Sequence, residues 1–214
     1  MSMLNYQFHY RRNLPHFQPV YATFFITFRL ADSIPMRVLL QLADEHQRAM
    51  KELKPLLDPR ERCEKIYQAQ RRALGKWDAA LHASNVGPRW LEDSRIAGVV
   101  ADTLRFNDGR TYCLHAFCIM PNHVHVVLTP LPKEHDTFHS LAGIMHSVKI
   151  HSAREVNAIL NRSGNVWQHE NYDHTVRDEQ EYWRIVEYVL NNPVKAGLAR
   201  EWQEWPWNYV AQVS

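Results

Sequence analysis

Cysteine is scarce in these 214 residues: Cys63, Cys113 and Cys118 are the only three, and none are spaced as C-x-x-C. That excludes a disulfide framework and a thiolate zinc cluster, and it fits a reducing cytosol. Glycine is scarce too, at seven residues, and no glycine-rich loop of the phosphate-cradling kind occurs. No apolar run is long enough to span a bilayer, and no signal peptide is expected. The net charge of +2 does not by itself announce nucleic acid. No serine-histidine-acid triad or paired acidic motif is present. What remains is an ordinary globular composition, 45% hydrophobic and 22% charged, long enough for one well-filled core.

Histidine, by contrast, is abundant at thirteen residues. Two of them mark the stretch around which the chain is organised, Phe117-Cys118-Ile119-Met120-Pro121-Asn122-His123-Val124-His125-Val126-Val127-Leu128-Thr129. It reads as strands over 111–120 and 123–129 joined at the turn-forming Pro121-Asn122, which predicts an antiparallel hairpin. Alternation along the second strand sends His123 and His125 to one face and Val124 and Val126 to the other. Two same-face imidazoles can grip one metal ion. They can also be core or surface histidines, although burying both unpaired is costly.

The rest of the chain supplies the frame. Phe24, Ile26 and Phe28 share a face of a first strand. Helices are predicted at 35–54, at 58–83 behind the cap signal Asp58-Pro59, at 93–106 and at 138–160. An edge-like strand covers 166–176, and a last helix runs from the cap Asp178 to about Asn192, where Pro193 ends it. With the helices at 35–83 set aside, the first six elements follow the ferredoxin-like order, strand, helix, strand, strand, helix, strand. The expectation is an α+β fold, RRM-like, with a four-stranded antiparallel sheet and helices on one face. It is expected to form one domain, 1–214, with a helical insertion at about 35–86 after the first strand and a C-terminal helix that carries Tyr188.

On that last helix Tyr188 and Asn192 stand four residues apart, hence on one face. Taken singly, Tyr188 reads equally as a core aromatic and Asn192 as a helix terminator. Tyr182 lies one and a half turns earlier and points elsewhere. His115, His169 and His174 fall near enough in the predicted fold to approach the same region.

Together, Met120-Pro121-Asn122-His123-Val124-His125 and Tyr188-Val189-Leu190-Asn191-Asn192-Pro193-Val194-Lys195-Ala196-Gly197 resemble the single-tyrosine HUH transposases, and within them the REP-associated tyrosine transposases. Further stretches share the likeness: Phe25–Asp32, Gly87-Pro88-Arg89-Trp90-Leu91, Gly164–Gln168 and Trp205-Pro206-Trp207. The insertion is its vaguest part.

The resemblance implies a metal-dependent single-strand DNA endonuclease and strand-transferase. Tyr188 would be the nucleophile and Asn192 the third metal ligand beside His123 and His125. The implied ion is Mg²⁺ or Mn²⁺, whereas two imidazoles and an amide would also suit Zn²⁺ or Ni²⁺ on ligand softness. The implied partner is hairpin-forming DNA with a short single-stranded foot. No small-molecule cofactor and no membrane are expected, and the state is monomer or homodimer. The expected place is the cytoplasm, with the nucleoid.

Arg11, Arg12, Lys149 and Arg154 are the candidate phosphate contacts. The basic run Arg60, Arg62, Lys65, Arg71, Arg72 and Lys76 reads as a solvated helix face or a further phosphate track. Trp202, Trp205, Trp207 and Tyr209 would pack back on the domain or stack on unpaired bases. Two other readings compete: a domesticated hairpin-DNA-binding protein of this fold without significant catalysis, and a metallohydrolase that uses an activated water and leaves Tyr188 dispensable.

Overall fold

The computed structural model describes residues 21–53, 58–84, 86–133 and 137–212. Arg11 and Arg12 therefore lie outside the described residues. The elements run β1 (Phe24–Arg29), α1 (Met36–Leu53), α2 (Pro59–Ala83), α3 (Ser94–Phe106), β2 (Tyr112–Ile119), β3 (His123–Pro130), α4 (Leu141–Ile159), β4 (Tyr172–Thr175), α5 (Glu179–Leu190), α6 (Asn192–Lys195) and β5 (Asn208–Val210). Among the described residues, no helix is long and apolar enough to cross a membrane.

The sheet has the order β4-β1-β3-β2-β5, and every pairing in it is antiparallel. It has five strands where the sequence pattern predicts four. The fifth is three residues of the aromatic C-terminal segment, too short to show an alternation, and it pairs with Ala116–Cys118 of β2. Tyr209 stacks on Phe117, and Trp205 Nε1 donates to the Ile119 carbonyl, so these rings are spent on the domain itself.

Alternation divides the sheet into two faces. Phe24, Ile26, Phe28, Val124, Val126 and Leu128 meet Ile96, Val100 and Leu104 of α3 and Ile144 and Val148 of α4 in the larger core. Phe25, Val127, Cys118 and Met120 face the other way and meet Val186, Val189 and Leu190 of α5. A register shift between Leu114 and Ala116 marks where β2 changes which residues it sends to each face. Burial of a dozen such side chains, each stabilising by roughly 1.5–3 kcal/mol, makes this sheet the rigid part of the molecule.

Two elements differ from their predicted extents for local reasons. The strand expected at 166–176 contracts to β4, with a single bridge between Leu30 and Trp167. Between them, the carbonyls of Gln168 and His169 turn to Lys149 Nζ, at 2.6 and 2.9 Å, instead of to a neighbouring strand. At the other end Pro193 does not end the helical path. It occupies the first turn of α6, where a missing N–H costs nothing, so Asn191 is a joint between α5 and α6.

Helix α2 lies over the second face. Tyr67 is buried and hydrogen-bonds the buried carboxylate of Glu181 at the start of α5. Leu74 packs on the α5 core, and the Leu81 carbonyl accepts from Asn122 Nδ2 at 3.0 Å. Beyond α2 the chain passes so near Asp32 that a Cβ on Gly87 would stand 2.2 Å from its carbonyl oxygen. With φ at +93°, only glycine fits this close approach comfortably, and it fixes where α2 ends.

Candidate active site

His123 and His125 lead β3 from its first residue, on the face that α2 and α5 cover, and both are fully buried. In register they stand opposite Arg29 and Thr27 of β1. His123 Nδ1 lies 2.7 Å from Asn122 Oδ1, an atom that can only accept, so Nδ1 carries the proton and Nε2 holds a bare lone pair. His125 Nδ1 contacts Thr27 Oγ1 at 2.8 Å. The two Nε2 atoms are 3.1 Å apart. Either His125 donates to His123, or both lone pairs face a single cation. Fixing of the far nitrogen by a neighbour is what orients a ligating imidazole.

Burial holds both rings neutral. His123 lies well below an ordinary imidazole, and His125 is lowered to about 3; burial is the main cause, and repulsion from neighbouring imidazoles adds to it.

Tyr188 sits near the end of α5, half-buried. Its ring is 5.8 Å from the His125 ring and 6.0 Å from Phe25, with Lys195 Nζ 4.3 Å from its centroid. Asn192, on α6, is 1% exposed, and its Oδ1 lies 2.8 Å from His82 Nε2. The structure thus brings Tyr188, Asn192, His123 and His125 into one cluster from β3 and the α5–α6 joint.

Two members of the cluster escaped the sequence analysis, and both come from α2. Asp78 Oδ2 is 3.7 Å from His125 Nε2. Ligand atoms of Asp78, His123 and His125 all lie within 4.8 Å of one another. Burial raises the Asp78 carboxyl to about 7 against the opposing influence of the Asn192 amide and the Lys195 charge. His82, one turn on, places its ring 5.6 Å from that of His123. The legible signal was an acid and a histidine at i, i+4 inside the apolar stretch Trp77–Ala83, which points both at whatever α2 covers.

Neither Asp78 oxygen, nor the Asn192 amide nitrogen, finds a hydrogen-bond partner of ordinary geometry among the described residues. Two neutral imidazoles and a buried carboxylate, with the Asn192 amide oxygen beside them on His82, are a donor set that fits a divalent cation.

Other candidates lie apart. Tyr182 packs on His115, which in turn contacts Thr129 Oγ1. His174 pairs with Glu181 at 3.1 Å. Lys149 is spent on backbone carbonyls, and Arg154 is an exposed cation beside Glu155. An open cavity of about 590 Å³ runs between α2 and α5 to Tyr188, with Arg71, Arg184 and Lys195 on its walls beside Tyr67 and Tyr172.

Residues 103–192 match the family described as Transposase IS200 like. A REP-associated tyrosine transposase of Escherichia coli (strain K12) is 28% identical over 99 residues, covering 46% of this chain and 54% of that one. A relative from Haemophilus influenzae (strain ATCC 51907 / DSM 11121 / KW20 / Rd) is 26% identical over 102 residues, covering 44% and 56%. The chain spans about half the length of these curated relatives. A solved structure, of a REP-associated tyrosine transposase bound to a REP hairpin, superposes with a TM-score of 0.50 at 16% identity. That superposition covers 89% of this chain and 77% of the other, and it shows the shared fold.

Proposed function

We propose, from the premise that residues 103–192 belong with the IS200-like transposases, that this protein cuts and rejoins single-stranded DNA at hairpin-forming sequences through a tyrosine nucleophile. The observation that carries the reading is the pair of neutral imidazoles whose Nε2 atoms lie 3.1 Å apart beside the Tyr188 ring.

In this reading His123, His125 and Asn192 would hold a divalent ion, Mg²⁺ or Mn²⁺, which would supply positive charge against the anionic scissile phosphate. The Tyr188 phenolic oxygen attacks phosphorus in line and the bond to the 3′-oxygen breaks. The phenol loses its proton, and the departing oxygen gains one to become a free 3′-hydroxyl. The product is a 5′-phosphotyrosine, whose bond energy is kept for rejoining without ATP. Lys195, whose ammonium stands over the Tyr188 ring, would be near enough to offset the charge gathered at the phosphate.

The cavity that ends at Tyr188 suits a single strand, with Arg71 and Arg184 for phosphates and Tyr172 for a base. Acting on DNA would place the protein in the cytoplasm, at the nucleoid.

A second reading, hairpin binding without catalysis, draws on one observation: α2 leaves His123 and His125 with no exposed surface. Incubation with a labelled hairpin oligonucleotide and Mn²⁺ separates the two. A protein–DNA band that survives SDS supports cleavage; retention on a native gel with no such band supports binding alone.

A further inference from the structure

We propose that Asp78 is a direct ligand of the divalent ion, so that helix α2 completes the metal site with a carboxylate while His82 positions the Asn192 amide. This rests on the function proposed above. It adds a ligand from a helix that lies outside the family-matched region, which begins at residue 103.

The first argument is the environment of Asp78. It is 4% exposed, and neither of its oxygens accepts a hydrogen bond of ordinary geometry among the described residues. A carboxylate this deeply buried is among the costliest groups a fold can carry unless a proton or a cation answers it, and the Asn192 amide and the Lys195 charge answer it only in part. Its 3.7 Å contact with His125 does not serve, because that imidazole is neutral and turns a lone pair or a single proton toward the same space.

The second argument is charge balance. His123, His125 and Asn192 are neutral ligands, and a divalent ion among them would leave its full charge among buried side chains. Asp78 halves that charge, and in a low-dielectric setting the attraction is strong. Two imidazoles with one carboxylate also leave coordination positions open, as phosphate chemistry needs.

The third argument is that α2 is built to deliver this side chain. The helix is pinned at three places: Tyr67 on Glu181, Leu74 on the α5 core, and the Leu81 carbonyl on Asn122. Asn122 also accepts from His123 Nδ1, so a single amide orients a ligand and anchors the helix that carries Asp78. One turn after Asp78, His82 Nε2 holds the Asn192 side chain at 2.8 Å. Without that contact the amide is free to rotate away from the imidazoles.

Mn²⁺ binding to the full chain tests this, read from the loss of the free-ion paramagnetic resonance signal and from the shift in melting temperature relative to EDTA. Wild type is expected to bind and to melt higher with Mn²⁺, and His123→Ala to do neither. Asp78→Asn should weaken binding by on the order of 100-fold and lose the Mn²⁺-dependent shift. In EDTA it should melt at or above wild type, because an unanswered carboxylate has been removed. His82→Ala should weaken Mn²⁺ by about 10-fold.

Should Asp78→Asn melt lower in EDTA, Asp78→Cys decides the matter. With Cd²⁺ it should give a thiolate-to-metal ultraviolet band in excess of any from wild type, which carries Cys63, Cys113 and Cys118 as well. Wild-type affinity in Asp78→Asn, or no excess band from Asp78→Cys, overturns the proposal and leaves the nuclease reading standing if His123→Ala still fails to bind. A wild type that binds no Mn²⁺ overturns both.

Discussion

His82 and Asn192 are 110 residues apart in sequence and 2.8 Å apart in space. Their contact closes a ring of polar side chains that β3 begins and α5–α6 continues, and it makes α2 a wall of the site. A catalytic reading of this protein has to account for that wall as well as for the tyrosine.

The tyrosine gives the sharpest test. Tyr188→Phe removes one oxygen and keeps the ring that packs on Phe25 and under Lys195. Such a volume-conserving change should cost less than about 1.5 kcal/mol of stability. The SDS-stable adduct should disappear while hairpin DNA is still retained on a native gel. Tyr182→Phe, beside His115 and away from the imidazole pair, should leave the adduct intact. An undiminished adduct from Tyr188→Phe would reject the assignment. Loss of binding together with cleavage would make Tyr188 a packing residue.

Acid should destabilise the metal-free protein, for reasons that can be signed. His123 and His125 titrate below the usual imidazole range in the folded state because burial disfavours their charged forms. The unfolded chain therefore binds more protons, and their stabilising contribution, complete above about pH 6.5, is lost as the pH falls toward the folded values. Asp78 runs the other way. Its carboxyl, raised to about 7, makes the folded state less favourable as pH rises from about 4 to 7. Two imidazoles outweigh one carboxyl, so these three groups together give a slope of about 1.4 kcal/mol per pH unit over the acid side of that window, to which the lowered His82, His115 and His174 add in the same sense. Urea unfolding in EDTA across pH 5 to 7 should show it, and His125→Gln should flatten it by about one proton's worth. A wild-type profile without slope would contradict the burial of the pair.

Much of this arrangement was legible in the sequence. The Pro121-Asn122 turn and the i, i+2 histidines fixed the hairpin and the face on which the imidazoles lie. The i, i+4 spacing of Tyr188 and Asn192 survives even though the helix is jointed at Asn191, because the hydrogen bond from Asn191 to Glu187 keeps the turn. For Asp78 and His82 the i, i+4 spacing shows a shared face but not what that face covers, since their helix is otherwise basic and solvated-looking and its docking depends on Tyr67 meeting Glu181, 114 residues away. Nor does a sequence pattern reveal that a lysine will be consumed by carbonyls, as Lys149 is.

That lysine separates a fold contribution from a DNA contribution. Lys149→Ala leaves the Gln168 and His169 carbonyls without their charged donor, and hydrogen bonds of this kind contribute roughly 1.5–3 kcal/mol. A lower urea midpoint is therefore expected. Arg154→Ala, an exposed change, should leave the midpoint within about 0.5 kcal/mol of wild type. If Arg154 meets a phosphate, that variant should lower the salt dependence of hairpin binding by about one ion. Equal midpoints for the two variants would sink the structural role given to Lys149.

The last prediction concerns how α2 is held over the site. The Glu181 carboxylate is 2% exposed and takes hydrogen bonds from Tyr67, from the Arg177 backbone and side chain, and from His174. Tyr67 is the only one of these partners on α2, so it links that helix to the start of α5. Tyr67→Phe keeps the ring and removes the donor, at an expected cost of about 1.5–3 kcal/mol because the acceptor is charged. The other donors remain, so Glu181 stays answered and α5 should keep its place. The loss should fall on α2 alone. Amide hydrogen exchange in 59–83 should quicken while β1 and β3 stay protected, since segments with few anchors open before the core does. If the ion is held partly by Asp78, Mn²⁺ should slow that exchange again in Tyr67→Phe but not in Tyr67→Phe combined with Asp78→Asn. Uniform acceleration across the sheet would show instead that Tyr67 supports the whole fold, and that α2 has no separate docking equilibrium for the metal to bias.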